Sequence, residues 1–285
     1  MQNTLSQNTK TILFRAILIS VLSIVAIAIL MPLLWMFLTS IKGSNDVFST
    51  PLKWIPWLHF APTLDAYKQV WTQVSFALYF GNSLFIALVV MIGQVFTSSL
   101  AAYAFARLKF PGRDRIFLAY LGTLMVPGVV TVIPVYILMR ELHWIDTYQA
   151  LIVPAMFSAY GTFLLRQFFL SIPSEMEEAA RIDGCNAFEI YRWIVVPLSL
   201  PAMSTLAIFT FVGNWRSFLW PLIVTNSSSH YTLPVGLAAF RTLEGGVNWP
   251  VLMAGSMLMT LPMVIIFLFG QRYFIEGVRI GGVKG

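Results

Sequence analysis

The sequence predicts an all-α integral membrane protein with six transmembrane helices. Three observations predict it. Hydrophobic residues make up 58% of the 285 positions, and the mean hydropathy is +0.78. Charged residues make up 11%, well under the roughly 25% of an ordinary soluble domain, so the chain cannot supply a soluble protein's polar surface. The apolar residues are gathered into six runs, each long enough to cross a bilayer at about 20 residues per helix. They cover residues 12–38, 78–105, 116–139, 148–169, 198–224 and 251–271. Within each run the apolar character is continuous rather than alternating, which excludes barrel strands. A helix satisfies its own backbone polar groups in lipid.

The first run, at residues 11–39, is too long for the apolar core of a secretory signal. No small-residue cleavage site follows it, so it reads as a retained span. The second run ends in a basic segment, "ARLKFPGR", and the third and fourth are separated by a short polar loop. The fifth follows a charged loop at residues 170–197, and the sixth follows a polar loop at residues 226–250. No low-complexity linker or internal repeat divides the chain. The expectation is one transmembrane domain over residues 1–285, with the main spans at about 78–271.

Loop charges orient the spans. With six crossings both termini share a side, and that side receives twelve basic residues, among them Lys10, Arg107, Arg113, Arg166, Arg181 and Arg192. The other side receives five: Lys42, Lys53, Lys68, Arg140 and Arg241. The positive-inside rule puts the termini, and the loop at 170–197, in the cytoplasm. The same asymmetry accounts for the net charge of +6 without nucleic acid as a partner. The lone Cys185 excludes an intrachain disulfide and a cysteine-cluster metal site, and His59, His143 and His230 have no metal-ligand spacing. No catalytic residue and no metal site are expected. The Trp- and Pro-rich outer loop at 41–75 reads as interfacial anchoring or as a docking surface for an external partner.

The charged loop is the most informative segment. Ser174 followed by Glu177 has the Ser-x-x-Glu form of a capping box, with Glu175, Glu177 and Glu178 near the positive end of a helix dipole. This helix is expected to end at Ile182 or Asp183, with Gly184 adopting a positive backbone angle. A second short helix is expected over residues 186–194, with Phe188, Tyr191 and Ile194 forming an apolar face. Pro197 and Pro201 mark re-entry into the fifth span.

The order Glu178-Ala179-Ala180, then Gly184, then Ile194 and Pro197, resembles the EAA loop of ABC-importer permeases at every spacing. Val196 stands where that motif carries leucine. The stretch "NSLFIALVVMIGQVFTSSLAAYAFARLKFPGR" and the ending "FLFGQRYFIEGVRIGGVKG" are similar to carbohydrate-type permeases of the maltose-permease group. In the ending, Gly277, Gly281, Val283, Lys284 and Gly285 match the pattern, while Val278, Arg279 and Gly282 depart from it. The resemblance implies a type I ABC-importer permease fold. Beside the lipid bilayer that the composition already calls for, it implies a second homologous permease, two ATPase subunits and an external solute-binding protein as partners. It implies that residues 174–194 are a cytoplasmic coupling loop inserted into an ATPase cleft. In that role Glu178 and Asp183 offer acids to basic groups on the ATPase, Ala179 and Ala180 let its backbone approach, and Gly184 permits the bend. ATP and Mg belong to the ATPase subunits, since the chain has no G-x-x-x-x-G-K-[ST] loop. The cargo implied is a sugar or related glycoside, or else a phosphorylated polyol.

The fifth span carries Asn214, Trp215 and Arg216 as a candidate translocation path. The related permeases have a pattern similar to W-N-[DE]-F there, whereas this chain has Trp215-Arg216-Ser217-Phe218. A charge at mid-bilayer costs roughly 2.5–3.5 kcal/mol, so Arg216 must face protein or water. It either pairs with another subunit or a backbone carbonyl, or it lines the path and meets sugar hydroxyls or a phosphate. Trp215 and Trp220 either pack or stack on sugar faces. Two rivals remain at this level. A secondary transporter calls for inverted repeats, which are not visible. An intramembrane enzyme calls for a catalytic set such as H-E-x-x-H, which is absent from the sequence.

Overall fold

A computed structural model describes residues 2–73, 75–243 and 247–282. The chain forms helices α1 (Gln2–Ser40), α2 (Asp65–Gln73), α3 (Phe76–Arg107), α4 (Arg113–Gly122), α5 (Gly128–Glu141), α6 (Tyr148–Ile152) and α7 (Ala159–Ser171). These are followed by α8 (Ser174–Ile182), α9 (Ala187–Ile190), α10 (Val196–Leu198), α11 (Leu200–Trp215), α12 (Leu219–Val224), α13 (Leu233–Leu243) and α14 (Trp249–Gly282). Among the described residues there is no strand, and the one β-bridge joins Pro56 to Phe60. The closing match Val283, Lys284 and Gly285 lies outside the described residues.

Four stretches are long and apolar enough to cross a membrane: Thr11–Ser40, Phe76–Arg107, Tyr148–Ser171 and Trp249–Gly270. Two bent helix pairs raise the number to six. Here the structure corrects the continuous runs read from hydropathy. The third span is α4 and α5, meeting at 102°. Pro127 forces Val126 into extended backbone (φ −84°, ψ 115°), which ends the first helix before the second begins. The fifth span is broken twice. A 77° bend at Ser199 separates α9–α10 from α11, and α11 stops at Trp215 while α12 starts at Leu219. Pro221, in the first turn of α12, has no N–H with which to continue the preceding helix. A 3₁₀ turn, Val153–Met156, interrupts the fourth span at Pro154.

The contacts resolve two compact units, Met1–Val74 with Phe240–Leu258, and Ser75–Ala239 with Met259–Gly285. In the first, α1 is exposed along its length from Thr11 to Leu34. Beyond its end Lys42 is buried, its amine 4.9 Å from the Trp35 ring and 5.2 Å from the Phe60 ring. Burial holds this amine below its ordinary pKa, against a raising contribution from Asp46.

In the second unit α3 is the central element, packed against α7 and α11. The α3–α7 approach is close because Gly161 lacks a side chain. A Cβ there would lie 2.7 Å from Ser98 Oγ. Two apolar clusters form along α3. One gathers Ala102, Leu165, Phe169, Val195 and Leu206 near the C-terminal end of α3. The other gathers Ile86, Val90, Met139, Leu151 and Val224 nearer its start.

Candidate functional site

The loop between α7 and α11 is a helical hairpin. Gly184, at φ +89°, makes the turn between α8 and α9, a backbone angle that side chains resist. Asp183 N–H donates to Ala179 O and Cys185 N–H to Ala180 O, closing the end of α8. The expected capping box is displaced. Pro173 precedes α8, Ser174 is already helical, and no side chain caps it. The box forms one helix later. Asn186 Oδ1 accepts from Phe188 N–H and Glu189 N–H, and Glu189 Oε2 accepts from Asn186 N–H.

Glu177 is freed from capping and is used elsewhere. It is buried, with its Oε1 2.9 Å from Arg107 Nε. The two atoms are close but not aligned as a hydrogen bond, so the contact is an ion pair. The Arg107 guanidinium also donates to Phe169 O (2.6 Å), which accepts from Ile172 N–H as well, and to Ile172 O, at the end of α7. One arginine therefore joins the end of α3, the end of α7 and the first helix of the hairpin.

The hairpin's second half is held by Tyr191, whose hydroxyl shares a 2.7 Å hydrogen bond with Ser99 Oγ and whose ring lies 5.3 Å from that of Tyr103. A π-helical turn, Tyr191–Val195, carries it. Ile190, Tyr191 and Val195 point inward while Phe188 and Trp193 are exposed. The face predicted as Phe188, Tyr191 and Ile194 is corrected accordingly: only Tyr191 is buried and Ile194 is half-buried.

Of the residues picked out by the motif, Glu178, Ala179, Asp183, Gly184 and Pro197 are exposed. Ala180 is buried, which corrects its assignment to the presented surface. It lies three residues from Glu177, so the helical period puts both on the inner face. Ile182, two residues before Gly184, is 87% exposed. The outer surface of the hairpin thus combines the acids Glu175, Glu178 and Asp183, the base Arg181, small residues and an uncovered isoleucine.

A second site opens near the start of α3. A cavity of about 360 Å³ is lined by Ser83, Thr131, Asn214, Ser217, Trp220 and Thr232 among apolar walls. This size falls within the roughly 300–1,000 Å³ of small-molecule sites. No charged side chain lines it. Ser83 Oγ accepts from Leu233 N–H (2.7 Å), Asn214 Nδ2 donates to Thr210 O (2.9 Å) and Trp220 Nε1 donates to Ala150 O (2.9 Å). Thr232 Oγ1 is buried without a partner.

The three residues proposed for the path separate. Asn214 lines the cavity. Trp215 is 1% exposed, donates Nε1–H to Met259 O and stacks on Phe211, so it presents no face for a sugar. Arg216 caps the end of α11, is exposed and does not line the cavity. The break at residues 216–218 explains this, because it lets the guanidinium leave the helix line that places Asn214.

Sequence reasoning missed Arg107, Glu177, Ser83 and Thr232. Arg107 had been absorbed into the charge count and Glu177 into a cap. The signal available was a basic residue closing one apolar run and an acid opening the next loop.

Above the cavity, Asn82 Nδ2 donates to Ser229 O and Tyr231 O, and its Oδ1 accepts from Tyr148 O–H. Asp146 accepts from the amides of Asn226 and Ser227. Burial pushes the Asp146 carboxyl up, but Ser227, Asn226 and nearby His230 outweigh it and hold it below the ordinary carboxylate value.

A helical membrane domain with an uncharged internal cavity and an outward-facing hairpin anchored at its other end defines a membrane transport subunit. The chain belongs to the family described as binding-protein-dependent transport system inner membrane component, whose model matches residues 94–280, and within it to the carbohydrate ABC-importer permeases. The arabinooligosaccharides transport system permease protein AraQ of Halalkalibacterium halodurans is 38% identical, over 92% of this chain and 93% of its own length. The trehalose/maltose transport system permease protein MalG of Thermococcus litoralis is 34% identical, over 97% and 99%. The sn-glycerol-3-phosphate transport system permease protein UgpE of Agrobacterium fabrum is 35% identical, over 92% and 94%. A crystal structure of a bacterial ABC transporter involved in the import of the acidic polysaccharide alginate superposes with a TM-score of 0.79 over 92% of this chain and 96% of that one, at 22% identity. Such permeases are non-catalytic membrane components.

Proposed function

We propose that this chain, with a second homologous permease, forms the translocation path of an ATP-driven importer for a sugar or related glycoside. Two ATPase subunits bind ATP and Mg and receive the hairpin, which makes Glu178, Ala179, Asp183, Gly184, Ile194 and Pro197 the coupling elements. An external solute-binding protein delivers the cargo. Both termini and the hairpin lie on the cytoplasmic side of a bacterial inner membrane, in keeping with the excess of basic residues at that end. The chain performs no covalent chemistry. Nucleotide binding by its partners biases two conformations of the spans.

The observation that carries this reading is the hairpin. Its acids and small residues face outward, while its inner face is fastened to α3 and α7 by Arg107 and Tyr191. The cavity supports the cargo class. Five hydroxyl or amide side chains and one indole, with no charged group, suit an uncharged polyhydroxylated ligand. The relatives' names favour two readings, oligosaccharides and sn-glycerol-3-phosphate. Arg216, the residue that would favour a phosphate, lies outside the cavity.

The test is uptake by the complete importer in vesicles, with its binding protein and ATP. The candidates are an arabino-oligosaccharide, maltose, trehalose and sn-glycerol-3-phosphate. A neutral sugar is expected to be taken up and the phosphate ester not. Uptake of the phosphate ester alone overturns the cargo assignment.

A further inference from the structure

We infer that Ser99, Tyr103 and Arg107 form a polar stripe on α3 that mounts the hairpin, making α3 the rod that carries hairpin movement to the cavity. The inference rests on the importer reading above and assigns positioning roles to residues outside the motif.

The three residues recur every fourth position, so they lie along one face of the helix. Between them they meet both halves of the loop system, Arg107 the first half and Tyr103 and Ser99 together Tyr191 in the second. Arg107 pairs with Glu177 of α8 and donates to the last carbonyls of α7. Tyr103 packs its ring on Tyr191, and Ser99 shares a hydrogen bond with the Tyr191 hydroxyl. Both halves of the hairpin, on either side of the Gly184 hinge, are thus fastened to one helix. The fastening is dry, with the Arg107 and Glu177 side chains 12% and 6% exposed. A buried ion pair adds little net stability, because desolvation offsets the attraction, but it has strong geometric preferences. That combination suits a joint more than a prop.

The rod itself is continuous. α3 runs unbroken for 32 residues, whereas the third and fifth spans are bent or interrupted. Ser83 and Ile86 near its start line the cavity. From Ser83 to Arg107 the helix covers about 36 Å at roughly 1.5 Å per residue. A displacement at the stripe therefore arrives at the cavity without passing a hinge.

The experiment uses the complete importer in vesicles, with Cys185 replaced by Ser and a reporter cysteine in the cavity at Thr131. The rate of modification by a membrane-impermeant maleimide is measured without nucleotide and after trapping with ATP and vanadate. The parent complex is expected to change rate by at least about five-fold between the two states, the lower end of typical site-to-site coupling. Glu177→Gln and Tyr191→Phe are expected to retain the ATPase subunits and their hydrolysis while the rate ratio falls toward one. A merely structural role would lower assembly and leave the ratio intact in whatever assembles. Should Glu177→Gln fail to assemble, Tyr191→Phe carries the test, since it removes one hydroxyl. Parent-like ratios in the assembled variants overturn the stripe and leave the importer reading standing. A parent complex that holds no ATPase overturns both.

Discussion

The two ends of α3 hold different kinds of polar group. At the hairpin end, Arg107 and Glu177 are buried and matched, with the guanidinium shared between a carboxylate and two carbonyls. At the cavity end, Ser83 and Asn214 are partly engaged, and Thr232 keeps a buried hydroxyl with no partner at all. A buried polar group without a partner costs roughly 1–3 kcal/mol. Thr232 differs from the other unpartnered groups in lining the cavity. The ends differ in charge: the hairpin end buries an ion pair, with the Tyr103 hydroxyl beside it also unpartnered, and the cavity end holds only neutral groups.

The largest effect that tests this contrast is Arg107→Ala. It leaves Glu177 as an uncompensated buried charge, and is expected to destabilise the chain by about 3–5 kcal/mol, read by thermal unfolding in detergent. A loss near zero would make the pair ornamental. Next comes Gly184→Val. Holding a branched side chain at φ +89° costs about 1–2 kcal/mol. The strain is local to the hairpin turn, so helix content is expected to persist by circular dichroism while ATPase binding falls.

Thr232→Val sharpens the comparison further, because stability and function are expected to move oppositely. Removing the unpartnered hydroxyl leaves stability unchanged or raises it by about 1 kcal/mol. The concentration of sugar giving half-maximal uptake is expected to rise up to about ten-fold, the equivalent of roughly 1.4 kcal/mol. Destabilisation with unchanged uptake would mean that the hydroxyl serves the fold. Arg216→Ala is expected to do least, within about 0.5 kcal/mol in stability and with unchanged sugar preference. A shifted preference would return the arginine to the path.

One acid dependence belongs to the outer loops. The Asp146 carboxyl is depressed in the folded chain, so its contribution is present above the ordinary carboxylate value near 3.9. It is lost as pH falls through the lower folded value. Hydrogen exchange at the amides of Asn226 and Ser227 is expected to accelerate only below about pH 4. Asp146→Asn is expected to remove that dependence.

The same contrast explains what could be read in advance. The hairpin was legible because its signals are local: a glycine between two short charged helices, with fixed spacing to Ile194 and Pro197. The spans were legible from apolar length and the turn into the fifth from Pro197 and Pro201, which bracket the bend at Ser199, but the breaks at Pro127 and Pro221 were not, because a hydropathy run does not register a helix break. Glu177 was misread because Ser-x-x-Glu fits a cap equally well, and only the approach of Arg107, 70 positions earlier, decides between them. Of the cavity, only Asn214 and Trp220 were legible. The other polar lining residues are single hydroxyls, drawn from positions 83 to 232 and brought together only by packing.

The most direct measurement of the central claim is recovery of partners by the tagged chain from native membranes in mild detergent, beside the Gly184→Pro variant. The account predicts that an ATPase and a second permease accompany the parent chain, and that the variant keeps the permease but loses the ATPase. A well-folded parent chain that brings down neither partner would contradict it.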